Sequence, residues 1–139
     1  MELPTNSGRT RLLLSQVTAH EDGWLVDLEL VADEYLADAE LREGRARARV
    51  SRAALTREGL EDAKAALRAW LREPVETRVS LGERASVRIS PDAEGLVLGT
   101  GKHAATFALR SDTLRATARA VVEETCVRRW LEALDEGFA

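Results

Sequence analysis

The chain has 139 residues, of which 45% are hydrophobic and 32% charged, with a formal net charge of −4 and one cysteine. That length predicts one domain able to bury a core without staples, the composition excludes a disordered chain, and the lone cysteine excludes an intrachain disulfide. The acidic balance argues against a general nucleic-acid binder, which carries a basic face or domain.

The opening MELPTNSGRT has neither a basic start nor an apolar run, so no signal peptide is expected. The aliphatic run Leu12 to Leu14 falls far short of the roughly 20 residues of a membrane helix. A reducing, cytoplasmic setting is the expectation. Residues 1–8 read as a flexible arm and 9–139 as the folded domain.

In RTRLLLSQVTAHEDGWLVDLELV, Asp22-Gly23 is a strong two-residue hairpin signal, because the central residues of such turns favour positive φ. That turn predicts Ala19 opposite Val26, Val17 opposite Leu28, Thr18 opposite Asp27 and Gln16 opposite Glu29, matching apolar with apolar and polar with polar. Trp24, Val26, Leu28 and Leu30 share one face at period two.

The next unit, LADAELREGRARARVS, sets Arg45, Arg47 and Arg49 at every second position, and Arg52 follows. A Glu43-Gly44 turn would pair Arg42 with Arg45, Leu41 with Ala46, Glu40 with Arg47, Ala39 with Ala48, Asp38 with Arg49 and Ala37 with Val50. Opposite charges facing across a sheet contribute roughly 0.2–1 kcal/mol per pair. Arg47 and Arg49 would then be neutralised, and Arg42, Arg45 and Arg52 left unpaired.

LTREGLEDAKAALRAWLREP predicts a helix. The Thr56 hydroxyl caps its first turn, Leu55 and Leu60 form a hydrophobic staple, and Leu60, Ala63, Leu67, Trp70 and Leu71 make one apolar stripe that stops before Pro74. Val75, Thr77, Val79 and Leu81 then alternate as a strand, a short turn follows, and Ala85, Val87 and Ile89 alternate again. LVLGTGKHAATFALR reads as one interrupted strand or as a hairpin around Gly99 to Lys102. Ser111 or Asp112 would cap a last helix running to about Glu136, with Leu114, Ala118, Val121, Val122, Trp130, Leu131 and Leu134 buried, Gly137 as a left-handed cap and Phe138 folded back on the last turn.

The order β-β-β-α-β-β-β-α predicts an α+β, two-layer sandwich: a six-stranded antiparallel sheet with both helices on one face. The opposite face would carry Asp27, Glu29, Asp38, Glu40, Arg47, Arg49, Arg78 and Arg88, and be wet or occupied.

Candidate chemistry is sparse. GTGK lacks the spacing and the hydroxyl of a phosphate loop, since Gly95 and Gly101 are one residue too far apart and His103 follows Lys102. His20 and His103 form no HxH or HxxxH pair. Cys126 has no base nearby in sequence, and Glu123 and Glu124 diverge on a helix. The expectation is a protein that is not an enzyme and needs no cofactor or metal. The candidate binding residues are Arg42, Arg45, Arg47, Arg49 and Arg52. Sheet-based RNA readers stack bases on exposed aromatics, which this arginine face lacks, so nucleic acid is the less favoured partner.

GWLVDLEL, GRARARVSRAALTREGLEDAKAAL as a strand ending in a capped helix, and a last long helix from SDTLRATA give a layout that resembles the WapI-type bacterial immunity proteins. The resemblance spans roughly residues 9–136 and implies a protein that neutralises a toxin domain by binding it; it assigns no binding residues. A protein partner is the leading expectation. A nucleic-acid-binding arginine face and a homo-oligomeric accessory domain, such as a homodimer, are the alternatives.

Overall fold

Apolar residues at period two and period 3.6 divide the chain into nine strands and two helices among the described residues. In the computed structural model the described residues are 1–6, 10–32, 39–41, 47–91 and 103–138. The elements are Glu2–Pro4 (β1), Arg11–His20 (β2), Gly23–Val31 (β3), Ala39–Leu41 (β4), Arg47–Thr56 (β5), Arg57–Arg72 (α1), Thr77–Leu81 (β6), Ala85–Ser90 (β7), His103–Arg110 (β8), Arg115–Val122 (β9) and Glu124–Gly137 (α2). The class is α+β, but the strands form two antiparallel sheets and not one of six strands. One sheet has the order β1-β2-β3-β5 and the other β4-β9-β8-β7-β6.

The single sheet fails at the second hairpin. β4 does not fold back on β5; it pairs with β9, setting Ala39, Glu40 and Leu41 opposite Ala120, Arg119 and Ala118. β5 pairs with β3 instead, so Arg47 lies opposite Val31, Ala48 opposite Leu30 and Arg49 opposite Glu29. The predicted Glu40–Arg47 and Ala39–Ala48 neighbours are therefore not neighbours. Ala37, Asp38, Arg42, Glu43, Gly44, Arg45 and Ala46 lie outside the described residues.

The first hairpin forms in a different register. Ala19 pairs with Trp24 and His20 with Gly23, so the turn is Glu21-Asp22, with Glu21 at φ 48°. Beyond a bulge at Gln16 and Val17, Leu14 faces Leu28 and Ser15 faces Asp27. Gly23 serves a different need from the turn. A Cβ there would lie 2.1 Å from the Leu55 carbonyl oxygen, so its missing side chain lets β5 approach β3.

The predicted last helix is a strand followed by a shorter helix. In β9, Ala116, Ala118, Ala120 and Val122 point inward and are buried, while Arg115, Thr117 and Arg119 alternate with them. The alanines favour a helix locally, but pairing with β8 and β4 satisfies the backbone in a strand. α2 starts at Glu124 with no side-chain cap, and Ser111 and Asp112 precede β9. Gly137 closes the helix beside Met1, where a Cβ would meet the methionine side chain. Phe138 packs edge-on against Trp24, with ring centroids 5.1 Å apart.

The first helix forms as its residues dictate. The Gly59 N–H donates to the Thr56 hydroxyl at 3.0 Å, and Leu60, Ala63, Leu67 and Trp70 are buried. α1 lies against β5 and β6, α2 lies against β1 and β9, and the helices touch each other. Lys64 of α1 reaches Glu61 at 3.0 Å and Asp135 of α2 at 3.1 Å. These bonds hold its ammonium above the usual lysine pKa of 10.5. The clamp therefore acts at neutral pH and is lost only as pH rises through that raised value.

One core joins both sheets and both helices: Leu12, Leu28 and Leu30 from the first sheet, Ile89 and Phe107 from the second, and Trp130 from α2. Part of the sequence-predicted arm belongs to this structure. β1 pairs with β2, Leu3 is buried, and the Pro4 carbonyl accepts from Trp130 Nε1 at 2.6 Å. The bond satisfies the one polar atom of a fully buried indole, which costs roughly 1–3 kcal/mol if left unpaired.

The two sheets also meet at a turn. Gly82 has φ +76°, and a Cβ there would lie 2.3 Å from the Ala54 carbonyl oxygen. We expect Gly82→Ala to destabilise by roughly 2–4 kcal/mol, combining left-handed strain with overpacking. Urea denaturation checks this; a loss under about 1 kcal/mol would show that the turn is not tightly seated on β5.

Candidate functional site

The arginine stripe of β5 is spent on acids of its neighbour β3. Arg49 Nη2 donates to Asp27 Oδ2 at 2.8 Å, and Arg47 Nη1 donates to Glu29 Oε1 at 3.3 Å. Both arginines are exposed, so each pair is worth under about 1 kcal/mol. Two of the five candidate arginines are thus neutralised, as the sequence suggested, but by Asp27 and Glu29 in place of Asp38 and Glu40. Arg42 and Arg45 are outside the described residues.

Arg52 is held in a special conformation. It sits at φ 55°, unusual for a residue with a side chain, where the β3–β5 register slips between Val26 and Leu28. Its backbone N–H donates to Asp27 Oδ1 at 2.9 Å. The Asp27 side chain is 14% exposed. First the Arg52 N–H and then the Arg49 guanidinium hold its carboxyl below the usual 3.8.

Arg52 lines a groove of about 660 Å³ between β5, the turn at Gly82, Glu83 and Arg84, and Ser111–Thr113. Its walls carry the hydroxyls of Ser51, Ser111 and Thr113, and Arg84 there is 3.5 Å from Asp112. The same turn borders a second, smaller hollow of about 220 Å³ on the outer face of the second sheet.

That outer face was only partly legible from sequence. From sequence, Arg78 and Arg88 fall on an exposed sheet face, Arg115 and Arg119 fall within the expected last helix, and nothing singles out Arg84 or Arg110. Period two places them together. Arg78 stands directly opposite Arg88, and Arg88 is followed across the sheet by Thr106 and Arg119. Arg110 stands directly opposite Arg115. Between these rows lies a strip of small residues, Ser80, Ser86, Ala108 and Thr117. With strands about 4.8 Å apart, Arg78 and Arg119 stand about 14 Å apart across the sheet.

The available counter-charges are few. Arg88 lies 3.9 Å from Glu76, Arg110 Nε donates to the Glu83 carbonyl at 2.9 Å, and Arg119 has a partner as well. Among the described residues the Arg78 and Arg115 side chains make no ion pair or hydrogen bond. Each of these two faces another arginine, an arrangement that destabilises a sheet.

The remaining reactive side chains are scattered. His20 is exposed, 3.8 Å from Glu21. His103 packs edge-on against Trp70 at 5.0 Å. Cys126 is buried in the first turn of α2, with Sγ 3.2 Å from Asn6 Oδ1, and Glu124 pairs with Arg128 along the same helix. Gly95 and the Gly99 to Lys102 loop lie outside the described residues. Among the described residues no three His, Cys, Asp or Glu side chains group to hold a metal ion, and no helix is long and apolar enough to cross a membrane. Comparison with protein-family models, curated proteins and solved structures returns no significant match.

Two outcomes follow from this electrostatic arrangement. Because Asp27 has a lower pKa folded than unfolded, the unfolded chain takes up its proton first as pH falls. Its contribution is therefore complete above about pH 4 and is lost as pH falls through the depressed value. We expect Asp27→Asn to lower stability at pH 7 and to flatten the fall in stability below pH 4, followed by urea denaturation across pH; an unchanged acid profile would contradict it. Conversely, Arg78→Glu or Arg115→Glu turns a like-charge pair into an attractive one. Each is expected to raise stability by roughly 0.2–1 kcal/mol at low salt and by less at high salt; destabilisation would contradict it.

Proposed function

We propose that this protein is a non-enzymatic binding protein that docks another protein through an open sheet surface. The observation that carries the reading is the pair of outer sheet faces. Both helices turn their apolar stripes to the core, and the outward positions of β5 to β9, apart from the buried Ala104 and Val121, are exposed or half-buried and carry arginines among small residues. Exposed sheet faces with arginines among small residues suit protein interfaces, where Arg is enriched. An immunity-type role, in which binding neutralises a toxin domain, is the specific form suggested by the sequence layout, of which the strand in GWLVDLEL and the strand ending in a capped helix form and the long last helix from SDTLRATA does not.

Nucleic-acid binding is the second reading, favoured by the arginines of β6 to β9. It is weakened by the net charge of −4 and by the absence of aromatic side chains among the outward residues of those strands. The test is affinity capture from native lysate followed by size-exclusion chromatography with mass detection. A stoichiometric protein complex is expected; recovery of the chain alone, as a monomer at every concentration, would overturn the reading.

A further inference from the structure

We infer that the outer face of β6, β7, β8 and β9 is the docking surface, and that its occupant is an acidic protein surface presenting carboxylates to Arg78, Arg88 and Arg115. The inference rests on the protein-binding reading above and deepens it by naming the face and the chemistry of the partner.

Three observations converge. First, the face holds two directly opposed arginine pairs, Arg78 with Arg88 and Arg110 with Arg115. Such pairs work against the fold. Elsewhere in the molecule the opposite solution was available: on β5, Arg47 and Arg49 each meet an acid of β3. Glu76 and the Glu83 carbonyl engage Arg88 and Arg110 but leave one arginine of each pair, Arg78 and Arg115, without a counter-charge, and a sheet that sets arginine opposite arginine twice on one face breaks a local rule where function is expected to be found.

Second, Arg78 and Arg115 have no partner among the described residues. A guanidinium fork binds a carboxylate through two parallel hydrogen bonds, and an incoming acid would both satisfy these forks and screen each arginine from its opposite. Stability withheld in the free protein would return on binding. The small strip of Ser80, Ser86, Ala108 and Thr117 between the arginine rows allows a partner's backbone to approach closely.

Third, the charges around the face select the class of anion. Glu76, Glu83 and Asp112 are interleaved with the arginines, and the whole chain is acidic. A continuous phosphate backbone would meet these acids along its length, and would find no aromatic side chain among the outward described residues of β6 to β9 on which to stack a base. A protein surface of mixed charge accommodates both signs and gains specificity from them.

The experiment uses the intact chain, with fluorescently labelled poly-L-glutamate as the acidic-polypeptide probe and a duplex DNA oligonucleotide as the other polyanion. Fluorescence anisotropy is measured at low and at raised salt. Wild type should bind polyglutamate at low salt, more tightly than the oligonucleotide and less tightly as salt rises. Arg78→Glu/Arg115→Glu should weaken polyglutamate binding about tenfold or more while melting no lower than wild type. Thr117→Glu, which removes no arginine but places an acid between the rows, should weaken it in the same direction. Unchanged affinity in both variants, no polyglutamate binding by wild type, or tighter binding of the oligonucleotide would each overturn the inference. If wild type captures a stoichiometric protein from lysate and Arg78→Glu/Arg115→Glu captures it equally well, this face is overturned and the protein-binding reading stands. If wild type binds neither a protein nor polyglutamate, both fall.

Discussion

The Asp27 carboxylate sets both the shape and the charge of the first sheet. One oxygen accepts from the Arg52 backbone and the other from the Arg49 guanidinium. The first bond offsets the strain of a left-handed arginine and fixes a bulge in β5. Beyond that bulge the strand lies against the Gly82 turn of the second sheet and delivers Thr56 to cap α1. The groove at Arg52 and the seating of the first helix therefore both lie downstream of one half-buried acid on the outward face.

The same residue explains why the two exposed faces differ. Asp27 and Glu29 stand where β5 brings its arginines, so the first sheet neutralises its own charge. In the second sheet the one acid within a described strand, Glu40, stands opposite Arg119, and the other arginines face one another: Arg78 meets Arg88, and Arg110 meets Arg115. An acidic protein thus carries a locally basic face. With a screening length of about 8 Å at physiological salt, a partner close to that face responds to it more than to the net charge of the molecule.

Much of this was legible in the residues and some was not. Helix α1 was, because Thr56, the Leu60-to-Trp70 stripe and Pro74 give independent and agreeing signals. β6 and β7 were, because Val79, Leu81, Val87 and Ile89 alternate cleanly. The first hairpin was misplaced because Gly23 looks like a turn residue, whereas its lack of a side chain serves the close approach of Leu55. β9 was mistaken for helix because Ala116, Ala118 and Ala120 favour helices, and the apolar residues from Leu114 to Val122 satisfy both periods. The stripe of arginines in β5 drew attention because it is contiguous in sequence. The arginines of the second sheet come from separate strands and from their turns, so only pairing across the sheet brings them together. The β4 partner was hidden for the same reason, since the local Glu43-Gly44 signal outweighed a pairing with β9 about 80 residues away.

The division of charge between the two sheets is tested most directly by following the arginine Nε–Hε resonances by NMR while poly-L-glutamate is titrated into the intact protein. If β3 has already neutralised the β5 stripe, the largest shifts belong to Arg78, Arg88 and Arg115, and those of Arg47 and Arg49 stay close to their free positions. Shifts centred on Arg47 and Arg49, with Arg78 and Arg115 unmoved, would contradict that division and return the functional surface to the first sheet.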